Sequence, residues 1–179
     1  MFDKSNYQFT GKHGEIVKKL TQEIDEKSKF QIFKRNVDVL FIAPIVGFLW
    51  NRRSEKDTSQ FDGDDNKKIN FEQLSKNKDI INTNYQLIML LHDKEKVSSE
   101  ERLNRAFRYG NKDKEKEECD RIFESYLLGG IEVLNEKILS NAVDINDYIA
   151  NMYDFINEYN DRKATSNMSA DDIINKFLN

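Results

Sequence analysis

The sequence has few of the residues that build disulfide scaffolds or β-rich folds. Its 179 residues include one cysteine, one proline and seven glycines. A single cysteine excludes an intramolecular disulfide and a cysteine-rich zinc site, and the scarcity of proline and glycine argues against a fold of many strands and turns. A chain of this length can bury a sizeable core by itself. We therefore expect an all-α fold, a single-domain bundle of about six or seven helices.

Charge of neither sign dominates. The chain has 28 Lys and Arg against 32 Asp and Glu, a net charge of −4. This mild acidity argues against a broad electrostatic grip on nucleic acid, although local basic patches stay open. Two patches are candidates for contact with phosphate groups or an acidic partner: Arg52 and Arg53, and the row Arg102, Arg105 and Arg108. The alternative is that each patch is a solvated face with nearby Glu partners.

Long hydrophobic runs are also missing. The longest, Val37–Trp50, carries Asp38 and is shorter than the roughly 20 residues that a spanning helix needs. The first ten residues are polar and lack the basic and apolar regions of a signal peptide. We therefore expect a cytoplasmic protein, and no membrane partner.

Apolar residues recur at helical spacing through most of the chain. The spacing predicts helices over about residues 14–26, 37–50, 71–91 (one long or broken helix), 98–110 and 112–139, and a further helix opened by Asp144 and Asp147. Ser98 and Glu101 form a capping-box pattern. Pro44 predicts a kink in the second helix, and the rival interpretation is a short strand, Val37–Ile42, followed by a helix.

The predicted domain organisation is a helical domain over 1–160, with a flexible loop at about Arg52–Lys68, followed by a linker and an amphipathic helix over 161–179. A helix as short as the last one is marginal alone, so its apolar face must be buried somewhere. The helix either folds back on the core or docks on another protein. In the second case four of its side chains are predicted to bind the partner: Ile173, Ile174, Phe177 and Leu178.

Two adjacent glycines, Gly129 and Gly130, interrupt the most clearly predicted helix. Each costs about 1 kcal/mol relative to alanine inside a helix, so a compensating contact is expected. Close packing of another helix inside the protein is one interpretation. The others are a groove for a partner, which makes Gly130 a candidate partner-binding residue, and a break between two helices.

The segment Asp62–Gln73 resembles the calcium loop of EF-hand proteins. Asp62, Asp64 and Asn66 stand in the first three ligand places. Lys67 replaces the glycine of the turn, however, and Gln73 replaces the closing bidentate glutamate. The alternative interpretation is an acidic solvent loop leading into a helix that begins near Asn70.

No set of side chains predicts catalysis or a cofactor. The two histidines, His13 and His92, lack partners at metal-ligand spacing, and both are interpreted as structural, His92 as a cation at a helix end. Cys119 lies among acidic residues that disfavour a thiolate. We expect a protein that is not an enzyme and needs no cofactor or metal.

One set of short motifs resembles a known group of proteins, and it extends from Lys12 to Leu139. It comprises Lys12-His13, Ile16-Val17, Leu20, Phe33, Val37 to Leu40, Gly47-Phe48, Arg52-Arg53 and Ile122 to Leu134. The pattern resembles small helical proteins encoded beside bacterial DNA-sulfur-modification (Dnd-associated) and SMC-type anti-phage defence operons, such as the small component of Lamassu systems. The resemblance implies a non-catalytic accessory subunit that bridges or regulates a larger nuclease or SMC-like ATPase, and it transfers no catalytic residue.

Two other functions remain open at this point. The Asp62–Gln73 loop would suit a calcium-responsive regulator, and the arginine patches would suit a small helical nucleic-acid-binding protein.

Overall fold

A computed structural model describes residues 6–59, 68–110 and 114–165 of the chain. These residues form seven α-helices and a pair of two-residue strands, which confirms the predicted mostly helical fold. In chain order the elements are β1 (Tyr7–Gln8), α1 (Gly11–Thr21), α2 (Asn36–Leu49), β2 (Lys68–Ile69), α3 (Phe71–Lys76), α4 (Lys78–Leu91), α5 (Ser99–Leu103), a π-helical turn (Asn104–Arg108), α6 (Lys114–Leu134), a second π-helical turn (Asn135–Leu139) and α7 (Ile145–Thr165).

The contacts group the chain into two compact units, residues 1–136 and 137–179. The first unit contains α1 to α6 and the antiparallel pair β1–β2, in which Tyr7 faces Ile69. The second contains α7, which continues to Thr165 and so extends beyond residue 161, where a linker was predicted. The predicted domain boundary at 160 stays a prediction.

The packing of α2 against α6 forms the centre of the first unit, and glycines make it possible. A Cβ atom on Gly130 would lie 1.7 Å from the carbonyl oxygen of Ala43, and one on Gly47 would lie 2.0 Å from that of Tyr126. Neither distance leaves room for a side chain, so the two backbones touch directly. Of the three interpretations of the glycine pair, close internal packing is confirmed. Gly130 is buried against α2, so its assignment to a partner-binding surface is corrected.

Pro44 lies inside α2 and does not end it. Because the helix runs unbroken from Asn36 to Leu49, the rival prediction of a strand over Val37–Ile42 is wrong. Val39, Leu40 and Ala43 are fully buried. The loss of one backbone hydrogen bond at Pro44 is therefore offset by apolar burial along the whole helix.

Several predicted boundaries shift by a few residues. The first helix begins at Gly11 and ends at Thr21, rather than spanning 14–26. The predicted 71–91 helix is broken at Asn77, which ends α3 and precedes α4. The predicted N-cap is confirmed, because the Ser98 hydroxyl accepts a hydrogen bond from the Glu101 backbone N–H at 3.2 Å. The Glu101 carboxylate bonds to Arg105 and Tyr109, so the reciprocal half of the predicted capping box is not seen.

Reciprocal hydrogen bonds open α7 where the sequence predicted them. The Asp144 carboxylate accepts from the backbone N–H of Asp147 at 3.1 Å, and the Asp147 carboxylate accepts from that of Asp144 at 3.1 Å. The N–H groups at the start of a helix have no partner within the helix, so these carboxylates satisfy them.

The predicted loop at about Arg52–Lys68 is described over residues 52–59, which form a strap across α6. Residues 60–67 lie outside the described residues. The Ser54 backbone N–H donates to the Ser125 carbonyl at 2.9 Å, and a Cβ on Gly129 would lie only 2.1 Å from the Arg52 carbonyl oxygen. Gly129 thus lets the strap approach the helix. The strap differs from the prediction because polar side chains, which predict solvent exposure, here bond to groups on α1 and α6.

Candidate functional site

The strap also anchors the start of α1, through Asp57. Its carboxylate accepts from the backbone N–H of Lys12 at 2.8 Å, and its carbonyl accepts from the Thr10 hydroxyl at 2.6 Å. The hydrogen bond from the Lys12 backbone, with those from the side chain and backbone of Ser59, lowers the pKa of Asp57 to about 2. Gly11 has a φ of +52° and leaves the space that the Asp57 carboxylate occupies. Asp57 is therefore a charged cap supplied from a distant part of the sequence.

Glu132 on α6 is the centre of a half-buried polar cluster. Its Oε1 atom accepts from Lys12 Nζ at 2.6 Å, from the Ser54 hydroxyl at 2.6 Å and from His13 Nε2 at 3.3 Å. Arg52 Nε lies 3.5 Å from Oε2. Burial acts to raise the pKa of Glu132, but the hydrogen bonds from Lys12 and Ser54 outweigh it, and the pKa lies below its usual value.

This cluster has a structural role. We call it the clasp, and it consists of Glu132 with Lys12, His13, Ser54 and Arg52. His13 is fully buried, and desolvation lowers its pKa despite the attraction of Glu132. A neutral His13 that donates through Nε2 has an unprotonated Nδ1. Ser54 and His13 both bond to the carboxylate and not to each other, so the histidine does not activate the hydroxyl. The cluster joins α1, the strap and α6.

The first arginine patch belongs to this clasp. Arg52 forms ion pairs with Glu132 and Glu136, and Arg53 donates to the Ser125 hydroxyl at 2.8 Å and stacks over the Tyr126 ring. Both guanidinium groups therefore have structural partners. Contact of Arg52 and Arg53 with phosphate stays a prediction.

The side chains of the second arginine patch also form hydrogen bonds within the protein. Arg102 donates to the Leu90 carbonyl at 2.8 Å, Arg105 to Glu101 at 3.0 Å and Arg108 to the side chain of Asn104 at 3.0 Å. The three side chains differ in burial: Arg108 is exposed, whereas Arg102 and Arg105 are half-buried. These contacts supply the structural role that was the alternative interpretation, and phosphate contact by Arg102, Arg105 and Arg108 stays a prediction.

His92 and Cys119 are buried in the first unit. His92 Nδ1 lies 3.0 Å from the Tyr126 hydroxyl, and burial lowers the pKa of the imidazole. His92 ends α4 and is structural, as predicted, but its burial disfavours the cationic form that the prediction assigned to it. Burial raises the pKa of the Cys119 thiol, so the predicted direction is right, but the main cause is desolvation and not the neighbouring acids.

Most of the calcium-loop resemblance falls outside the described residues. Asp62, Asp64 and Asn66 are among those that the structure does not describe. The helix starts after Asn70 as the alternative interpretation expected, and the Gln73 side chain accepts from the Asn70 backbone N–H at 3.2 Å. Gln73 thus caps α3. In the described ranges no group of three or more His, Cys, Asp or Glu is placed to hold a metal ion.

The clearest exposed feature is an apolar stripe on α7, here called the α7 stripe. Ile149, Tyr153 and Ile156 are 51%, 65% and 53% exposed and follow each other at spacings of four and three. They therefore share one face of the helix. On a helix that turns about 100° per residue, Asn151 and Glu158 lie on the opposite face.

That opposite face makes the contacts within the second unit. The Asn151 amide donates to the Ile138 carbonyl at 3.0 Å, and Glu158 forms an ion pair with Lys137 at 2.6 Å. Tyr148, Met152 and Phe155 are also half-buried, whereas the three apolar side chains of the α7 stripe face solvent. Helical periodicity indicates that a helix has an apolar face, but it cannot say whether the protein itself covers that face.

The other predicted partner-binding residues, Ile173, Ile174, Phe177 and Leu178, lie outside the described residues. No helix in the described part of the chain is long and apolar enough to cross a bilayer.

The described residues form a mostly helical protein with an exposed apolar stripe on α7. The family model of DNA sulphur modification system-associated protein 4 matches residues 8–173, and the chain belongs to that family. The match confirms the Dnd-associated resemblance and extends it past Lys12–Leu139 to regions that the short motifs do not cover. Neither a curated protein nor a solved structure matches the chain.

Proposed function

We propose that this protein is a non-catalytic accessory subunit that docks through the α7 stripe on a larger protein of a DNA-sulfur-modification defence system. The observation that carries the proposal is the exposure of Ile149, Tyr153 and Ile156 on a helix already held through its other face. Water contact with a contiguous apolar face is unfavourable, and such faces commonly mark protein interaction sites. Membership of a family associated with DNA sulphur modification systems supplies the context.

The charge of α7 indicates what kind of surface would fit it. Between residues 145 and 161 the sequence has four carboxylates, Asp147, Asp154, Glu158 and Asp161, and no Lys or Arg. At about 100° per residue these carboxylates lie on the half of the helix that is turned away from the stripe, so the stripe itself is uncharged. A complementary partner therefore presents an apolar groove or helix. With about 1.5 Å of rise per residue, the 21-residue helix is roughly 30 Å long, which suits helix-in-groove recognition.

The partner class that we propose is a nuclease or an SMC-type ATPase encoded nearby. Such a partner would perform the chemistry in the cytoplasm, and this subunit would bridge or regulate it. Nucleic acid would then be contacted through the complex and not by this chain alone.

The test is co-purification of the tagged full chain with each neighbouring gene product. The wild-type protein is expected to co-elute with one of them in size-exclusion chromatography and to stay bound at high salt, because salt screens ionic contacts and the stripe is apolar. The triple variant Ile149→Ser, Tyr153→Ser and Ile156→Ser is expected to elute alone. Serine has a helix propensity close to that of Ile and Tyr, so the helix itself is little affected.

A matched triple variant on the neighbouring polar flank of the same helix is the control. Asn146→Ser, Ala150→Ser and Asn157→Ser should leave co-elution unchanged. A chain truncated after Thr165 tests the predicted contribution of Ile173, Ile174, Phe177 and Leu178. If the truncated chain loses binding while the α7 triple variant keeps it, the partner surface lies in the C-terminal residues and the proposed α7 site is wrong.

A further inference from the structure

A cavity in the first unit is separate from the clasp and from the α7 stripe. It has a volume of about 290 Å³ and lies between α3 and α4 on one side and the first π-helical turn and α6 on the other. This is close to the lower limit of about 300 Å³ for small-molecule sites, so the cavity would take one ring system with a substituent.

Aromatic rings form much of its lining. Tyr85 and Tyr109 contribute to the wall, and the rings of Phe71 and Phe107 also line the cavity although they are 45% and 58% exposed. Burial raises the pKa of Tyr85 far above its usual range, so its phenol is neutral. Exposed rings beside a cavity offer stacking surface for a flat ligand.

The cavity is basic in a protein that is acidic overall. Lys78, Arg105 and Lys116 line it with a single carboxylate, Asp120. Lys116 Nζ lies 4.0 Å from the centroid of the Tyr85 ring and also forms an ion pair with Asp120. An ammonium has three N–H donors and a guanidinium five, so Lys116 and Arg105 keep donors for an anionic ligand after binding Asp120 and Glu101.

Two amides complete the chemistry. Asn82 and Gln86 on α4 line the same cavity, and each offers a carbonyl acceptor and an NH₂ donor. Rings for stacking, cations for an anion and amides for the edge of a heterocycle occur together in sites that bind nucleotides.

We propose that this cavity binds a nucleobase carrying a phosphate group. The base stacks on Phe107, and Lys116 and Arg105 attract the phosphate. A free mononucleotide and the end of a single-stranded nucleic acid both present this chemistry. The site is independent of the proposed docking through α7.

The experiment uses the full chain with AMP, GMP, CMP and UMP, and with a short 5′-phosphorylated single-stranded oligonucleotide. Saturation-transfer NMR is expected to show contact with the base protons, and calorimetry gives the dissociation constants. Phe107→Ala should weaken binding by about tenfold or more, because stacking on one aromatic side chain supplies much of such affinity. Lys116→Met should weaken binding and flatten its dependence on salt.

The matched control is Leu103→Ala, a change of an exposed apolar residue on the neighbouring α5 that does not line the cavity. It should bind like the wild type, as should the α7 triple variant, and circular dichroism establishes that each variant is folded. Tighter binding of a mononucleotide identifies a free ligand, and tighter binding of the oligonucleotide identifies a strand end.

Either of two results overturns the proposal. One is the absence of any base signal up to about 10 mM ligand, which corresponds to a negligible affinity. The other is binding that neither Phe107→Ala nor Lys116→Met changes. If no nucleotide binds and Phe107→Ala instead abolishes co-purification with a protein partner, the cavity receives a side chain of that partner.

Discussion

α6 and α7 are both 21 residues long and both amphipathic, yet the protein uses them in opposite ways. Eleven residues of α6 are buried, among them both glycines of the Gly129-Gly130 pair. None of residues 145–161 of α7 is buried. The comparison shows that an amphipathic pattern indicates a face to be covered but not whether the same chain covers it.

The largest expected loss of stability follows from placing a side chain in the contact between α2 and α6. Gly130→Leu must push α2 away, because even its Cβ would overlap the Ala43 carbonyl oxygen. We expect the free energy of unfolding to fall by more than about 3 kcal/mol, above the usual range for an overpacked core. Urea unfolding followed by circular dichroism measures the loss.

The corresponding change in α7 is Ala150→Leu, at an exposed position. Its effect should stay within about 0.5 kcal/mol, as for most surface substitutions. Equal effects of the two leucines would contradict the contrast between the helices.

The second effect concerns the clasp around Glu132. Glu132→Gln removes the charge that Lys12, Arg52, His13 and Ser54 share, and we expect a loss of about 2 kcal/mol, within the range for a buried hydrogen-bonded charge. Glu158→Gln on α7 removes an ion pair of greater exposure, for which the expected loss is below about 1 kcal/mol.

The clasp also predicts that the free energy of unfolding falls at acid pH. Because the pKa of Glu132 is lower in the folded state, the unfolded state takes up its proton first as the pH falls. Its contribution is present above the unfolded value of about 4.3 and is lost below it. In urea unfolding at a series of pH values, the free energy of unfolding should fall less steeply at acid pH for Glu132→Gln than for the wild type. Equal slopes would mean that Glu132 contributes nothing to the acid dependence of stability.

The third effect is a separate loss of stability at milder pH. Burial lowers the pKa of both His13 and His92, so each histidine takes up its proton more readily in the unfolded state. Stability should be complete above the unfolded value of about 6.5 and should decline as the pH falls below it. The double variant His13→Asn and His92→Asn should lack the decline between about pH 6.5 and 5. If NMR titration gives both histidines ordinary pKa values, the assignment is wrong.

The smallest expected effect is on the α7 stripe. Tyr153→Ser should change the free energy of unfolding by less than about 0.5 kcal/mol, because the ring is 65% exposed and the two residues have similar helix propensity. A loss comparable to that of a core residue would show that the chain itself covers the stripe.

Local features were predictable where neighbouring residues alone determine them. The N-cap at Ser98, the Asp144–Asp147 start of α7 and the helix start at Asn70 are all predictable from spacing, since each depends on side chains that bond to backbone within one turn. The glycine pair also indicated that another backbone approaches α6 closely. It could not indicate that the approaching residue is Gly47, which lies more than 80 positions earlier in the chain.

The contacts that join distant segments were not predictable. Nothing around Glu132 in the sequence indicates that Lys12, His13 and Ser54 bond to its carboxylate, and the polar composition of the strap predicts a loop free of the helices. The cavity was missed for the same reason, because its lining comes from Phe71 to Asp120 and combines four separate elements.

The sequence by itself determined that the chain is helical, where most helices begin, and that α6 and α7 each have an apolar face, because periodicity and capping act over one or two turns. Tertiary structure decided which face is covered, which charges neutralise each other and where the arginines are bound. Those outcomes depend on segments brought together by the crossing of α2 and α6, and no local pattern carries that information.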